Sequence, residues 1–157
     1  MRLFGLLFLF IAYTSIAQDQ TAAKWDFSCW VPEGTDVGVS GGEIFATYFG
    51  EDIDKLILEV GKFKSLESGK AKEFIEMMPA VAMPNDHGDE MIIQDLEGFT
   101  EKTVNGVKVL YRDFHDIHSM RVFAVKTGKT IYLGYIEINT KEYEAWWDKI
   151  IDSIRIS

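Results

Sequence analysis

The segment Arg112-Asp113-Phe114-His115-Asp116-Ile117-His118 places two imidazoles and two carboxylates within seven residues. Neutral imidazole and carboxylate are ligands that divalent transition metals accept, so Asp113, His115, Asp116 and His118 form the candidate metal site, and a metal-dependent hydrolase is the reaction class they suggest. Spacing constrains the idea. On a continuous strand, residues three apart face opposite ways, so His115 and His118 converge only if a turn lies between them; the strand boundaries below place one there. The competing reading is a solvated hairpin tip.

Other residues with chemical potential carry weaker patterns. Asp86, Asp89 and Glu90, with Asn85 and Gly88, offer the hard oxygens calcium takes, without the loop spacing that wraps a chain around the ion. Glu51, Asp52 and Asp54 lie near a turn, where carboxylates favour solubility. Trp146-Trp147 could stack on a sugar, but adjacent positions of one apolar helical stripe belong more readily to a core. No G-x-S-x-G, H-E-x-x-H or phosphate-binding glycine loop occurs, and Cys29 lacks a histidine at a recognisable spacing. No set of nucleophile, base and orienting group emerges, and no cofactor is implied.

These residues must be positioned by strands and helices whose patterns are readable. Strands are predicted over Trp25–Val31, Glu43–Phe49 and Lys55–Phe63, the last with Leu56, Leu58 and Val60 on one face. Cys29 alternates with Trp25, Phe27 and Val31, which directs it to the core as a small apolar residue. Pro32-Glu33-Gly34 reads as a turn, Gly38 to Gly42 as a flexible connection. Ser68 is the expected N-cap of a helix carrying Ala71, Phe74, Ile75 and Met78, ended by Pro79. Residues 79–90 read as an exposed loop. Asn105-Gly106, between Phe99–Val104 and Val107–His115, is the dipeptide that a two-residue type I′ hairpin prefers.

Strands at Ser119–Lys126 and Thr130–Ile138 complete a meander. They carry apolar residues on both sides, as a mid-sheet strand covered on both faces requires. A terminal amphipathic helix bears Tyr143, Trp146, Trp147, Ile150, Ile151 and Ile154 at helical spacing. The expected fold is α+β, a single antiparallel sheet of six or seven strands packed by two helices, with 1–17 a signal peptide, 18–24 a polar lead and 25–157 one domain.

The order of elements and the ending Ile150-Ile151-Asp152-Ser153-Ile154-Arg155-Ile156 resemble the Mog1/PsbP-like superfamily, whose closing helix runs into an I-x-x-S-[FI]-x-[IF] ending. Trp25 to Pro32 is similar to that group's opening strand and Pro turn, although Glu33-Gly34-Thr35-Asp36 lacks the aromatic residue expected there. The resemblance implies an antiparallel sheet sandwiched by helices and a role in binding or assembly. It transfers no functional residue.

Composition narrows the partners. Met1-Arg2, the apolar run Leu3 to Tyr13 and the small residues Ser15 and Ala17 have the order of a cleavable export signal, with cleavage expected before Gln18. The apolar run is too short to span a bilayer, and no cysteine follows it to carry lipid, so no stable membrane anchor is expected after cleavage and the product is periplasmic or extracellular. A single cysteine means no internal disulfide. Loss of Arg2 takes 16 basic residues to 15 against 25 acidic, about −10, which repels phosphate backbones and argues against nucleic acid. The sequence therefore suggests an exported, non-catalytic domain that binds a protein or small ligand, in a cleft between the sheet and the 79–90 loop, with the hydrolase as its alternative.

Overall fold

A computed structural model describes residues 20–40, 42–49, 54–78, 96–115, 119–139 and 143–157. The signal segment 1–17, the acidic residues Glu51, Asp52, Asp86, Asp89 and Glu90, and the pair Asp116 and His118 lie outside the described residues.

Alternation in the strands decides the layering. In β8 (Ser119–Thr127) and β9 (Thr130–Ile138), Met120, Val122, Ala124, Leu133 and Tyr135 are buried on one face, and Phe123, Val125, Tyr132, Ile136 and Ile138 on the other. Such strands must lie mid-sheet. They do. Seven antiparallel strands run in the order β3 (Asp36–Ser40), β4 (Glu43–Phe49), β5 (Asp54–Phe63), β9, β8, β7 (Val107–His115), β6 (Thr100–Val104). On one face lies α1 (Gly69–Met77), begun by Ser68, whose Oγ accepts the Ala71 N–H at 3.2 Å. Its Phe74 packs on Phe63 and Tyr135, with ring centroids 5.4 and 6.2 Å away.

The other face is covered by α2 (Ala145–Ser153) and by a second, three-stranded antiparallel sheet: β1 (Gln20–Lys24), β2 (Phe27–Val31) and β10 (Arg155–Ile156), with β2 central. Phe27, Cys29, Val31, Trp147, Ile150 and Ile151 fill the space between these elements and Leu56, Leu58, Val60, Tyr132 and Ile136 of the large sheet. The α+β class with two helices stands, while the single sheet is corrected to two. The residues expected as a polar lead form β1 from Gln20 onward, and the expected flexible connection, Gly38 to Gly42, overlaps the end of β3. Each of these strands has only one neighbour, so little of its surface needs apolar side chains; β1 buries only Ala22, and its pattern is nearly silent. β10 has two residues, too few for any period.

Turn chemistry holds the registers. Asn105 and Gly106 have φ of 48° and 81°, the pair of positive values a type I′ turn needs, and Val104 faces Val107 across it. Asn105 does a second task. Its Nδ2 donates to the carbonyls of Ile154 (2.9 Å) and Asp152 (3.3 Å), supplying partners to the end of α2. Ser153, the serine of the closing motif, donates from Oγ to Ile150 O and accepts the Trp30 N–H, both at 2.7 Å, which sews α2 to β2.

Candidate functional site

The histidine hairpin resolves into a charge cluster under α2. Asp113 and Arg121 face one another in the β7–β8 register, and Arg121 donates from Nε to Asp113 Oδ1 (2.6 Å) and from Nη2 to Oδ2 (2.9 Å). Its Nη1 reaches Asp148 Oδ1 on α2 at 2.5 Å. The guanidinium lies between Tyr111 and Trp147, 4.5 and 5.2 Å from their ring centroids. Burial opposes its charge, and the Asp113 and Asp148 carboxylates outweigh that, raising its pKa. His115, two residues along the same face, rests on Trp147 at 5.7 Å. Asp113 therefore directs both oxygens at a buried cation, a geometry that fastens the helix to the sheet. No group of three metal-ligating side chains occurs among the described residues.

Cys29 is buried, and desolvation pushes its thiol up to about 12, so it contributes packing rather than a thiolate. A second tight arrangement closes the β1–β2 hairpin. Trp25 adopts φ 58°, uncommon for a bulky residue, and the turn is held by Asp26, whose carboxylate accepts from Lys62 Nζ (3.0 Å) and from the Tyr132 hydroxyl. The Tyr132 and Lys62 bonds hold the Asp26 pKa below its usual value. Ser157 N–H donates to Asp26 O at 2.9 Å, tying the residues after β10 to the same turn.

A further arrangement of carboxylates lies on the α1 face of the large sheet. One rung crosses six strands as Gly38, Phe45, Glu59, Tyr135, Val122 and Arg112. Glu59 sits between Phe45 and Tyr135. The Tyr135 side is under α1 through Phe74; the Phe45 side is open, with Phe45 36% exposed and Gly38 offering no side chain beyond it. Gly61, two residues along β5, is covered by the ring of Phe63, which a Cβ there would meet at 2.4 Å. The neighbouring rung carries Thr47, Ile57 and the buried Glu137.

Electrostatics set Glu59 apart. Burial raises its pKa, opposed only by the hydrogen bond from the Tyr135 hydroxyl, and no basic group contributes. Glu43, on the same face of β4, is raised by burial and then by Glu59, with Lys24 acting weakly in the other direction. Tyr135 is raised strongly by burial and by the Glu59 carboxylate, so its hydroxyl stays protonated and donates. Thr47 is 2% exposed, and its Oγ1 has no hydrogen-bond partner among the described residues. The result is a pair of half-buried carboxylates, Glu43 and Glu59, flanking the exposed ring of Phe45 on one face of the sheet.

Sequence reading passed over Glu59 because it sits within a strand whose Leu56, Leu58 and Val60 match a core pattern. The usable signal is the exception itself: Glu59 in Leu56–Phe63 and Glu137 in Ile131–Ile138 are carboxylates inside runs whose neighbours are buried on both faces.

No family model matches the chain, and neither does any curated protein. A crystal structure of a protein from Bacteroides thetaiotaomicron VPI-5482, determined at 1.50 Å resolution, aligns with 84% of this chain at 10% identity and a TM-score of 0.49. This chain spans just under half of that protein chain, 45% of its length.

Proposed function

We propose that the chain is an exported, non-catalytic binding or assembly domain of the cell envelope or the extracellular space, and that the sheet surface around Glu59 and Phe45 is its binding site. The supporting observation is a half-buried carboxylate on which no cation among the described residues acts, beside an exposed phenyl ring. Desolvated charge costs the free protein stability, and a ligand supplying the opposite charge offsets that cost on binding. The finer fold assignment, a Mog1/PsbP-like sandwich, belongs to the same reading. Helical cover on both faces of an antiparallel sheet supports it, as does the role of Ser153 in docking the closing helix. Export rests on the Met1 to Ala17 pattern. The hydrolase alternative on Asp113, His115, Asp116 and His118 draws no support from Asp113, whose oxygens are engaged by Arg121.

Affinity capture from the native organism, with residues 18–157 as bait, tests the reading. A specific protein or small molecule retained by the wild-type domain and lost from a Phe45→Asp domain is expected. Recovery of nothing specific counts against it.

A further inference from the structure

Strand β3 is an edge of the large sheet: among the described residues no strand lies beyond it, and Asp36, Gly38 and Val39 are exposed. Register fixes which backbone groups it turns outward. Ser40 faces Glu43 with two residues between them, so that pair exchanges both backbone hydrogen bonds, and alternation gives Gly38–Phe45 and Asp36–Thr47 the same character. The N–H and C=O of Val37 and Val39 therefore point away from β4, to the open edge. Sheet edges are commonly blunted by charge, and β6, at the other end of the sheet, carries Glu101 and Lys102. β3 carries only Asp36, at its first position.

Gly38 is the residue that a single chain does not account for. Glycine weakens a strand, yet Gly38 has no positive φ, and a Cβ there would meet nothing within 4 Å. A strand glycine of this kind marks the close approach of another backbone. We infer that β3 pairs antiparallel with β3 of a second copy, about a two-fold axis at Gly38. In that register Val37 of each copy faces Val39 of the other, and these are the residues whose N–H and C=O are turned outward, so they form the hydrogen-bonded pairs. Gly38 faces Gly38 as the non-hydrogen-bonded pair, where Cα atoms approach to about 4.5 Å. Asp36 faces Ser40, so no like charges meet. Val39, 59% exposed, gains a neighbour in the second copy's Val37, on the face where Val37 already packs against the core. On the other face the glycine pair leaves room for the two Phe45 rings, each 36% exposed beside its own Gly38. The axis uses up the β3 edge of both copies, and the charged β6 edge does not extend the sheet, so assembly stops at two. One five-residue strand per copy is small beside the about 1,200 Å² that stable interfaces bury, and each chain has a net charge of −9, so the dimer is reversible and favoured by salt.

Sedimentation velocity and cysteine cross-linking of residues 18–157 test the pairing. A monomer that shifts to a dimer with rising concentration, more so in high salt, is expected. Val39→Lys, at an exposed position, and Val39→Pro, which removes only an outward N–H, are each expected to weaken dimerisation at least tenfold with the circular dichroism spectrum unchanged. Cys29 is the only cysteine and is buried, so an introduced thiol reports on its own. Gly38→Cys is expected to oxidise to a disulfide-linked dimer, because its facing Cα atoms lie within the about 4.4–6.8 Å that a disulfide spans. Asp36→Cys, on the same face two residues from the axis, is expected to stay monomeric. A chain that is monomeric at every concentration, a dimer indifferent to both Val39 variants, species larger than a dimer, or equal cross-linking through Asp36→Cys overturns the inference. A monomeric domain that still captures a specific partner removes the pairing and leaves the binding reading standing.

Discussion

Two charged residues on opposite faces of the sheet have opposite stability roles. Arg121 is 7% exposed and compensated by two carboxylates, so removing a partner leaves a buried cation short of charge. Asp113→Ala should cost about 2–4 kcal/mol, somewhat less than breaking a fully buried pair because Asp148 remains, whereas Asp148→Ala, on a side chain 71% exposed, should cost about 1 kcal/mol or less. Urea denaturation of the two variants measures both; equal costs would contradict this account. Glu59 is the reverse case. Its pKa is raised on folding, so the folded state binds its proton more tightly than the unfolded chain, and the residue detracts from stability as pH rises through and above 4.5, with Glu43, Glu137 and Tyr135 around it. Glu59→Gln should melt higher than the wild type at pH 7, and the gap should close as pH falls toward 4.5. Thermal melts between pH 4 and 8 check the sign. The histidine hairpin was legible as a cluster but not as a partnership. Nothing in the spacing of Asp113 announces Arg121, which comes eight residues later and meets it only through strand register.

At the scale of elements, apolar period and turn chemistry carry most of the information. The β9 bounds, the Ser68 cap and the Asn105-Gly106 turn follow from local sequence because each is stabilised by groups within a few residues of itself. β1, β3 and β10 do not, since a strand with one neighbour, or with two residues, is defined by what it pairs with. The terminal helix gives a graded test. Its stripe treats Trp146 and Trp147 alike, yet Trp147 is 3% exposed against the β-sheet, while Trp146 stands partly open, edge-on to Trp30 and Tyr48 and stacked on Tyr143. Trp147→Ala should therefore cost about 3–5 kcal/mol and Trp146→Ala about half of that. Asn105→Ala should cost about 1 kcal/mol through the lost donors to α2, which calorimetry of the variant measures.

For the whole molecule, the large sheet separates two unequal cores. The side under β1, β2, β10 and α2 is filled by aromatic and branched residues, including Tyr132, Phe27 and Phe123; on the α1 side, among the described residues, Ala71, Phe74 and Ile75 pack on Met120, Val122, Ala124, Leu133 and Tyr135. The signal pattern adds a prediction at this scale: mass spectrometry of the exported protein should find Gln18 as its first residue, in the soluble fraction. A mature species retaining residues 1–17 and sedimenting with membranes would count against release.

The small sheet also has a meaning in time. β2 lies near the start of the chain, and its second edge is filled by Arg155 and Ile156, while Ser157 closes on Asp26. A chain emerging from the ribosome cannot complete that sheet, nor dock α2 through Ser153 onto Trp30, until residues 153–157 have been made. The small sheet therefore closes only after everything that separates its two partners along the chain has been made.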